Sequence, residues 1–121
     1  MPIIIKSPKE IEILRESGKR LARVLDEVEK AVRPGITTKE LDAIAQEAVL
    51  KMGDTAPFLG YQPYGADFPY PGAICLSVND EIVHGLPKER VLQEGDIIGL
   101  DMGVAHERMI TDSARTPSRL G

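Results

Sequence analysis

Two aspartates, Asp101 and Asp112, lie in the segment IIGLDMGVAHERMITDSART at residues 97–116, whose two halves have the composition of β-strands. If the chain reverses at His106-Glu107, paired residue numbers sum to 213 and Asp101 faces Asp112 directly. Both carboxylates would leave the same sheet face, with Cβ atoms roughly 4.5–5.5 Å apart. Because like charges at that spacing repel, the pair requires a proton or divalent metal ions between the carboxylates.

A structural interpretation of the same spacing stays open. Aspartate is depleted inside strands but common at their ends, and AHER lacks the Gly or Asn that a tight primed turn prefers. In that case the register differs from the one assumed, and one of the two aspartates is simply solvated.

Two helices are predicted ahead of this hairpin. Residues 7–10, SPKE, combine a capping box with proline at the first helical position, and apolar residues then recur at spacings of three and four. Pro34-Gly35 ends this helix. Residues 37–40, TTKE, form a second capping box, and the shorter helix that follows stops at Gly53.

The second half of the chain is rich in strand patterns. Strands are predicted at residues 73–78, 81–83, 97–105 and 108–116, with a turn at Asn79-Asp80. Residues 54–72 hold too many Pro and Gly for an element interior and are predicted to form a loop. Helices followed by antiparallel strands indicate an α+β fold with two N-terminal helices packed on one sheet face, and residues 1–121 fit a single domain.

Composition excludes several classes of protein. A net charge of −4 with interspersed signs argues against a nucleic-acid surface. The apolar run at residues 3–5 is too short for a signal peptide or a membrane span, so we expect a cytoplasmic protein without a membrane partner. Cys75 is the single cysteine, which excludes an internal disulfide and a zinc-thiolate site built from cysteine alone.

Three sequence blocks resemble the type I methionine aminopeptidases in order and spacing: SVNDEIVHGLP at 77–87, EGDIIGLDMGV at 94–104 and TDSART at 111–116. The segments KSPKEIEILRESGKRLARVL and RPGITTKELD are similar to the N-terminal helices of that family. The resemblance therefore covers nearly the whole chain. HGLP after VND separates this group from the proline-specific peptidases, which share the two-aspartate hairpin.

The resemblance implies half of a pita-bread fold and a metal-dependent hydrolase that removes N-terminal methionine. The family's site takes two aspartates from a first-half hairpin, then a histidine and two glutamates from the second half. Asp101 and Asp112 match the two aspartates, and the other three ligands have no counterpart here. The chain is therefore identified as the N-terminal half of such a catalytic domain. Mn²⁺, Fe²⁺, Co²⁺ or Zn²⁺ is implied, with up to two ions in an assembled site.

Further site residues follow from the same resemblance. His84 matches a histidine that lines the substrate site without binding metal and helps to stabilise the reacting peptide. Cys75 matches a cysteine in the wall of the methionine pocket, although a small buried hydrophobe would have the same properties. Four aromatic residues of the loop are candidates for the remaining wall: Tyr61, Tyr64, Phe68 and Tyr70. Of these, we select Tyr61 and Tyr70. His106 lies roughly 16 Å along a strand from Asp101, too far to replace the missing ligand histidine.

Three hypotheses account for half a site, and they leave open whether the chain is an enzyme. Two copies could associate about a twofold axis and gather four carboxylates. A separate polypeptide could instead supply the second half, and in either case the substrates would be the N-termini of peptides or nascent chains. Alternatively, the chain is a non-catalytic half-domain or split fragment that binds metal weakly or serves as an interaction module. The ending TPSRLG leads us to expect a terminus or an altered junction after SART.

Overall fold

The computed structural model describes residues 3–81, 85–118 and 120. These residues form two helices followed by three strands: α1 (Pro8–Ala31), α2 (Thr38–Lys51), β1 (Ile74–Val78), β2 (Ile98–His106) and β3 (Met109–Arg115). The predicted α+β order is confirmed. Glu81 lies outside any strand, and the rest of the strand predicted at 81–83 falls outside the described residues. Within the described ranges, no helix is long and apolar enough to cross a membrane.

Both helices begin at the predicted capping boxes. The Ser7 hydroxyl accepts from the Glu10 amide at 3.2 Å, while the Glu10 carboxylate accepts from the Ser7 amide at 2.8 Å. Thr37 and Glu40 make the same reciprocal pair, with both distances at 3.1 Å. Each box satisfies amides that have no partner inside the helix, so the helix starts are determined by local sequence.

The helices cover one face of an antiparallel sheet in the order β1-β2-β3. Alternate residues of the strands are buried against α1 and α2: Ile74, Leu76, Val78, Ile98, Leu100, Met102 and Val104. Successive side chains of a strand point to opposite faces, so the residues between them point away from the helices. Cys75, Asp101 and Asp112 lie on this second face.

The register of the β2–β3 hairpin differs from the prediction. Gly103 pairs with Asp112 and Asp101 pairs with Ala114, so paired numbers sum to 215 instead of 213. The two aspartates do share a face, but as diagonal neighbours roughly 7–8 Å apart. The chain reverses at Glu107-Arg108, whose φ angles of 45° and 71° are both positive, as in a type I′ turn. The prediction was wrong because no Gly or Asn marks the turn, so that contacts from elsewhere in the fold decide where the chain reverses.

Asp42, a buried residue of α2, holds the start of β1. Its Oδ1 accepts from the amides of Ala73 at 2.7 Å and Ile74 at 3.2 Å, and its Oδ2 accepts from the Gln46 amide at 2.7 Å. Asp42→Ala would leave two buried amides without acceptors. We expect the free energy of unfolding, measured by urea titration, to fall by about 2–4 kcal/mol. Gln46→Ala leaves both amides paired and should cost clearly less; equal losses would contradict this account.

Candidate metal centre

The sheet face opposite the helices forms one wall of a cavity of about 480 Å³. The loop between α2 and β1 forms the other wall. Five of the six predicted site residues line this cavity: Tyr61, Tyr70, Cys75, Asp101 and Asp112. The sixth, His84, lies outside the described residues. The fold therefore brings together residues that are as far as 51 positions apart in the sequence.

The two carboxylates come from neighbouring strands. Asp101 is partly buried in the middle of β2 and pairs directly with Cys75 of β1, whereas Asp112 is exposed on β3. Gly103 lies opposite Asp112, and a Cβ atom there would come within 3.0 Å of the Thr111 carbonyl and 3.3 Å of the Pro57 ring. The glycine thus allows the loop to pack closely against the strand beside the aspartates.

Tyr70 is anchored by its hydroxyl group. The hydroxyl lies 2.7 Å from the Ile74 carbonyl and 3.1 Å from the Gly85 carbonyl, and the ring makes an edge-to-face contact with Phe58 at 6.3 Å between centroids. Burial raises the pKa of Tyr70, and its hydrogen bond with Cys75 raises it further. The phenol therefore remains a neutral donor, and the ring is held as a wall of the cavity.

Cys75 lies between Tyr70 and Asp101 in this wall. Burial raises the pKa of its thiol, and the negative charges of Asp101 and Asp112 add to that effect, although the hydrogen bond with Tyr70 acts in the opposite direction. A thiol with a raised pKa stays protonated at neutral pH and is a poor metal ligand. Cys75 thus presents a small, uncharged surface to the cavity.

The rest of the loop wall is only partly as expected. Tyr61 is held near Tyr70 because the Tyr70 amide donates to the Tyr61 carbonyl at 2.7 Å, yet its side chain is 63% exposed at the cavity mouth. Phe68 lines the cavity, while Tyr64 is fully exposed and is not part of the wall. Sequence reasoning did not select four other lining residues: Phe58, Pro63, Ala66 and Asp67. Of these four, only Phe58 could have been selected from the sequence, because all five aromatic residues of the chain fall in this loop.

The carboxylates of Asp101 and Asp112 fit hard or borderline divalent cations, which prefer oxygen ligands. Catalytic metal sites usually have three or more protein ligands. Over residues 3–81, 85–118 and 120, no group of three or more His, Cys, Asp and Glu side chains is placed to hold a metal ion. The described residues therefore provide part of a ligand set.

The antiparallel sheet, the helices on one face and the two aspartates on the other define half of a pita-bread metallopeptidase. Residues 12–120 match metallopeptidase family M24, and the chain belongs to this family. It is 44% identical over 117 residues to methionine aminopeptidase from Aquifex aeolicus, an alignment that covers 96% of this chain and 45% of that protein. It is 45% identical over 114 residues to methionine aminopeptidase 1 from Bacillus subtilis, covering 94% and 44% of the two chains.

The solved structures agree with these relatives. Methionine aminopeptidase from Thermotoga maritima matches with a TM-score of 0.87 and 38% sequence identity, over 99% of this chain and 46% of that one. The chain thus spans a little under half the length of the relatives it matches. The predicted resemblance to the N-terminal half of methionine aminopeptidases is confirmed, as is the half pita-bread fold.

Proposed function

We propose that this chain contributes the two-aspartate half of a metal-dependent aminopeptidase that removes N-terminal methionine. The observation that carries this proposal is the position of Asp101 and Asp112 on one sheet face, beside a cavity with aromatic and apolar walls. The relatives are named methionine aminopeptidases, which supports the same reaction. The proposed setting is the cytoplasm.

Asp101 and Asp112 would hold Mn²⁺, Fe²⁺, Co²⁺ or Zn²⁺, with up to two ions in a completed site. A bound ion would polarise the peptide carbonyl and make a water molecule more acidic at neutral pH. The role of the two aspartates is to hold negative charge at a fixed spacing on rigid strands. His84, as the group that stabilises the reacting peptide, remains a prediction by resemblance.

The cavity beside the aspartates suits the methionine side chain of a peptide or nascent chain. A thioether is apolar and polarisable, and it makes favourable contacts with aromatic rings. Tyr70 and Phe58 offer such rings, and the protonated thiol of Cys75 adds a small uncharged surface. Tyr61, exposed at the mouth, would contact the residues that follow the methionine.

The rest of the ligand set would come from a second half. Either another copy of this chain or a separate polypeptide would cover the sheet face that carries the aspartates. β3 is the last strand of the sheet order, and Ile110 on it is 58% exposed, so association would bury apolar surface and a strand edge. In a symmetric homodimer, both copies of Asp101 and Asp112 would contribute to one site.

Sedimentation with and without Mn²⁺, together with release of methionine from a Met-Ala peptide, tests the proposal. We expect metal to favour the dimer and the dimer to release methionine, whereas Asp112→Ala should do neither. A wild-type chain that neither binds metal nor releases methionine, alone or with the second half of a relative, would refute the proposal. Release by the isolated chain as a monomer would refute the need for a second half.

A second candidate function is non-catalytic. It is favoured by the finding that no group of three or more metal-binding side chains occurs among the described residues. On this view the chain binds metal weakly or serves as an interaction module. Metal-dependent association without release of methionine, even with a second half present, would support this alternative.

A further inference from the structure

We propose that Arg20 and Asp54 act through His106 as positioning residues that set the register of the β2–β3 hairpin. Through the register, this Arg20–Asp54–His106 cluster determines the diagonal spacing of Asp101 and Asp112. The inference rests on the proposed function, in which the two aspartates bind metal.

The buried Asp54 carboxylate connects the end of α2 to α1 and to β2. The Asp54 side chain is 3% exposed and follows the end of α2, and its Oδ1 lies 2.8 Å from His106 Nδ1 at the end of β2. Arg20 of α1 donates to Asp54 Oδ2 at 3.2 Å and to the Met52 carbonyl at 2.9 Å. The next residue, Thr55, exchanges backbone hydrogen bonds of 3.2 and 2.9 Å with Ala105. His106 is therefore held from its side chain and from the adjacent backbone.

The turn residues themselves do not select the observed register. Glu107 and Arg108 both adopt positive φ, which is unfavourable for residues that carry a Cβ atom. Histidine enters the left-handed region more readily than most residues. Local preference alone would therefore place His106 in the turn. The contact with Asp54 keeps His106 in the strand, paired with Met109.

Ser17, on the helix side of the sheet, also holds the hairpin. Its hydroxyl lies 3.2 Å from the Val104 carbonyl, 3.0 Å from the Met109 carbonyl and 3.0 Å from the Thr111 hydroxyl. Thr111 pairs with Val104 in the observed register, whereas Met109 would take that place if the chain reversed at His106-Glu107. The contact with Thr111 therefore favours the observed register from the helix side, in the same direction as the cluster.

The choice of register matters for metal binding. In both registers the two aspartates share a face, because the shift is two residues. With the turn at Glu107-Arg108 they are diagonal, whereas with the turn at His106-Glu107 they would be directly opposite. Metal affinity depends on how outer contacts orient the ligands, and loss of such contacts typically weakens binding about 10–100-fold.

The experiment compares Mn²⁺ affinity, by calorimetry, and hairpin register, by nuclear Overhauser contacts between strands. His106→Ala should weaken Mn²⁺ binding about 10–100-fold and replace the contact between Gly103 and Asp112 with one between Asp101 and Asp112. Adding Glu107→Asn and Arg108→Gly to His106→Ala installs a strong type I′ turn at the observed position. This triple variant should recover both the register and the affinity.

The matched control is Glu107→Gln. Glu107 lies 3.3 Å from the other ring nitrogen of His106, so this change alters a neighbouring charge and leaves the contact with Asp54 in place. It should retain wild-type register and affinity. If His106→Ala does not fold, the milder His106→Asn replaces it, since asparagine also favours the left-handed region and should move the turn.

The outcomes separate this inference from the proposed function. Retention of the Gly103–Asp112 contact in His106→Ala or His106→Asn would overturn the inference, whatever the metal affinity. The inference would also be overturned if the triple variant recovered the observed register but not the wild-type Mn²⁺ affinity, because His106 would then act on the metal in another way. Wild-type affinity in Asp112→Ala would refute the metal site itself, and the register measurement, which needs no metal, would still test the role of His106.

Discussion

Asp112→Asn is expected to weaken Mn²⁺ binding at least about 100-fold, which corresponds to roughly 3 kcal/mol. The substitution keeps the size of the side chain but removes the negative charge of one of the two aspartates proposed to hold the cation. Hard cations bind carboxylate oxygens mainly through charge, so a neutral amide is a poor replacement. Asp101→Asn should have an effect of similar size. Titration calorimetry measures both, and release of methionine by the assembled protein should fall in parallel.

Asp80→Asn is the matched control for these variants. Asp80 is exposed in the turn after β1 and does not line the cavity, so its loss should leave the affinity unchanged. Because Asp112 is exposed, Asp112→Asn should unfold at nearly the wild-type temperature when no metal is present. Unchanged affinity in both Asp101→Asn and Asp112→Asn would place any bound metal elsewhere.

Gly85→Ala is expected to lower the free energy of unfolding by about 3 kcal/mol, the upper end of the usual cost of overpacking. A Cβ atom at this position would lie 2.1 Å from the Leu76 carbonyl oxygen and 2.8 Å from the Ser77 Cα. The contact is with backbone, so no side chain can rotate away from it. The clash would also weaken the two hydrogen bonds between Gly85 and β1. In one, the Leu76 amide donates to the Gly85 carbonyl at 2.8 Å; in the other, the Gly85 amide donates to the Ser77 hydroxyl at 3.1 Å.

Gly18→Ala provides the comparison in urea titrations of Gly85→Ala. Gly18 lies inside α1, and a Cβ atom there would meet nothing within 4 Å. Alanine should therefore stabilise the helix by about 0.5–1 kcal/mol. If Gly85→Ala proved as stable as wild type, the segment at Gly85 would not lie against β1 as described.

Local chemistry accounts for what was predicted well. The starts of α1 and α2 follow from capping boxes that involve only neighbouring residues, such as Ser7 and Glu10. The shared face of Asp101 and Asp112 was also predicted correctly, because the predicted and observed registers differ by two residues and a shift of two leaves each side chain on the same face. The blocks around HGLP, LDMG and TDSART were sufficient to indicate the family.

Other features depend on residues that are distant in sequence. Aromatic residues were expected in the wall of the cavity, but which ones face inward depends on how the loop packs: Phe58 and Phe68 line it and Tyr64 does not. No local rule places the Pro57-Phe58 segment against Gly103, since the two lie on different elements.

The sequence by itself determined where the helices begin and that two aspartates occupy one side of the sheet. Each of these follows from interactions within a few residues or from the twofold period of a strand. Only the tertiary structure decided that Asp101 and Asp112 are diagonal neighbours. The register was open because the turn lacks glycine, so the position of the turn depends on contacts such as that between Asp54 and His106, 52 residues apart.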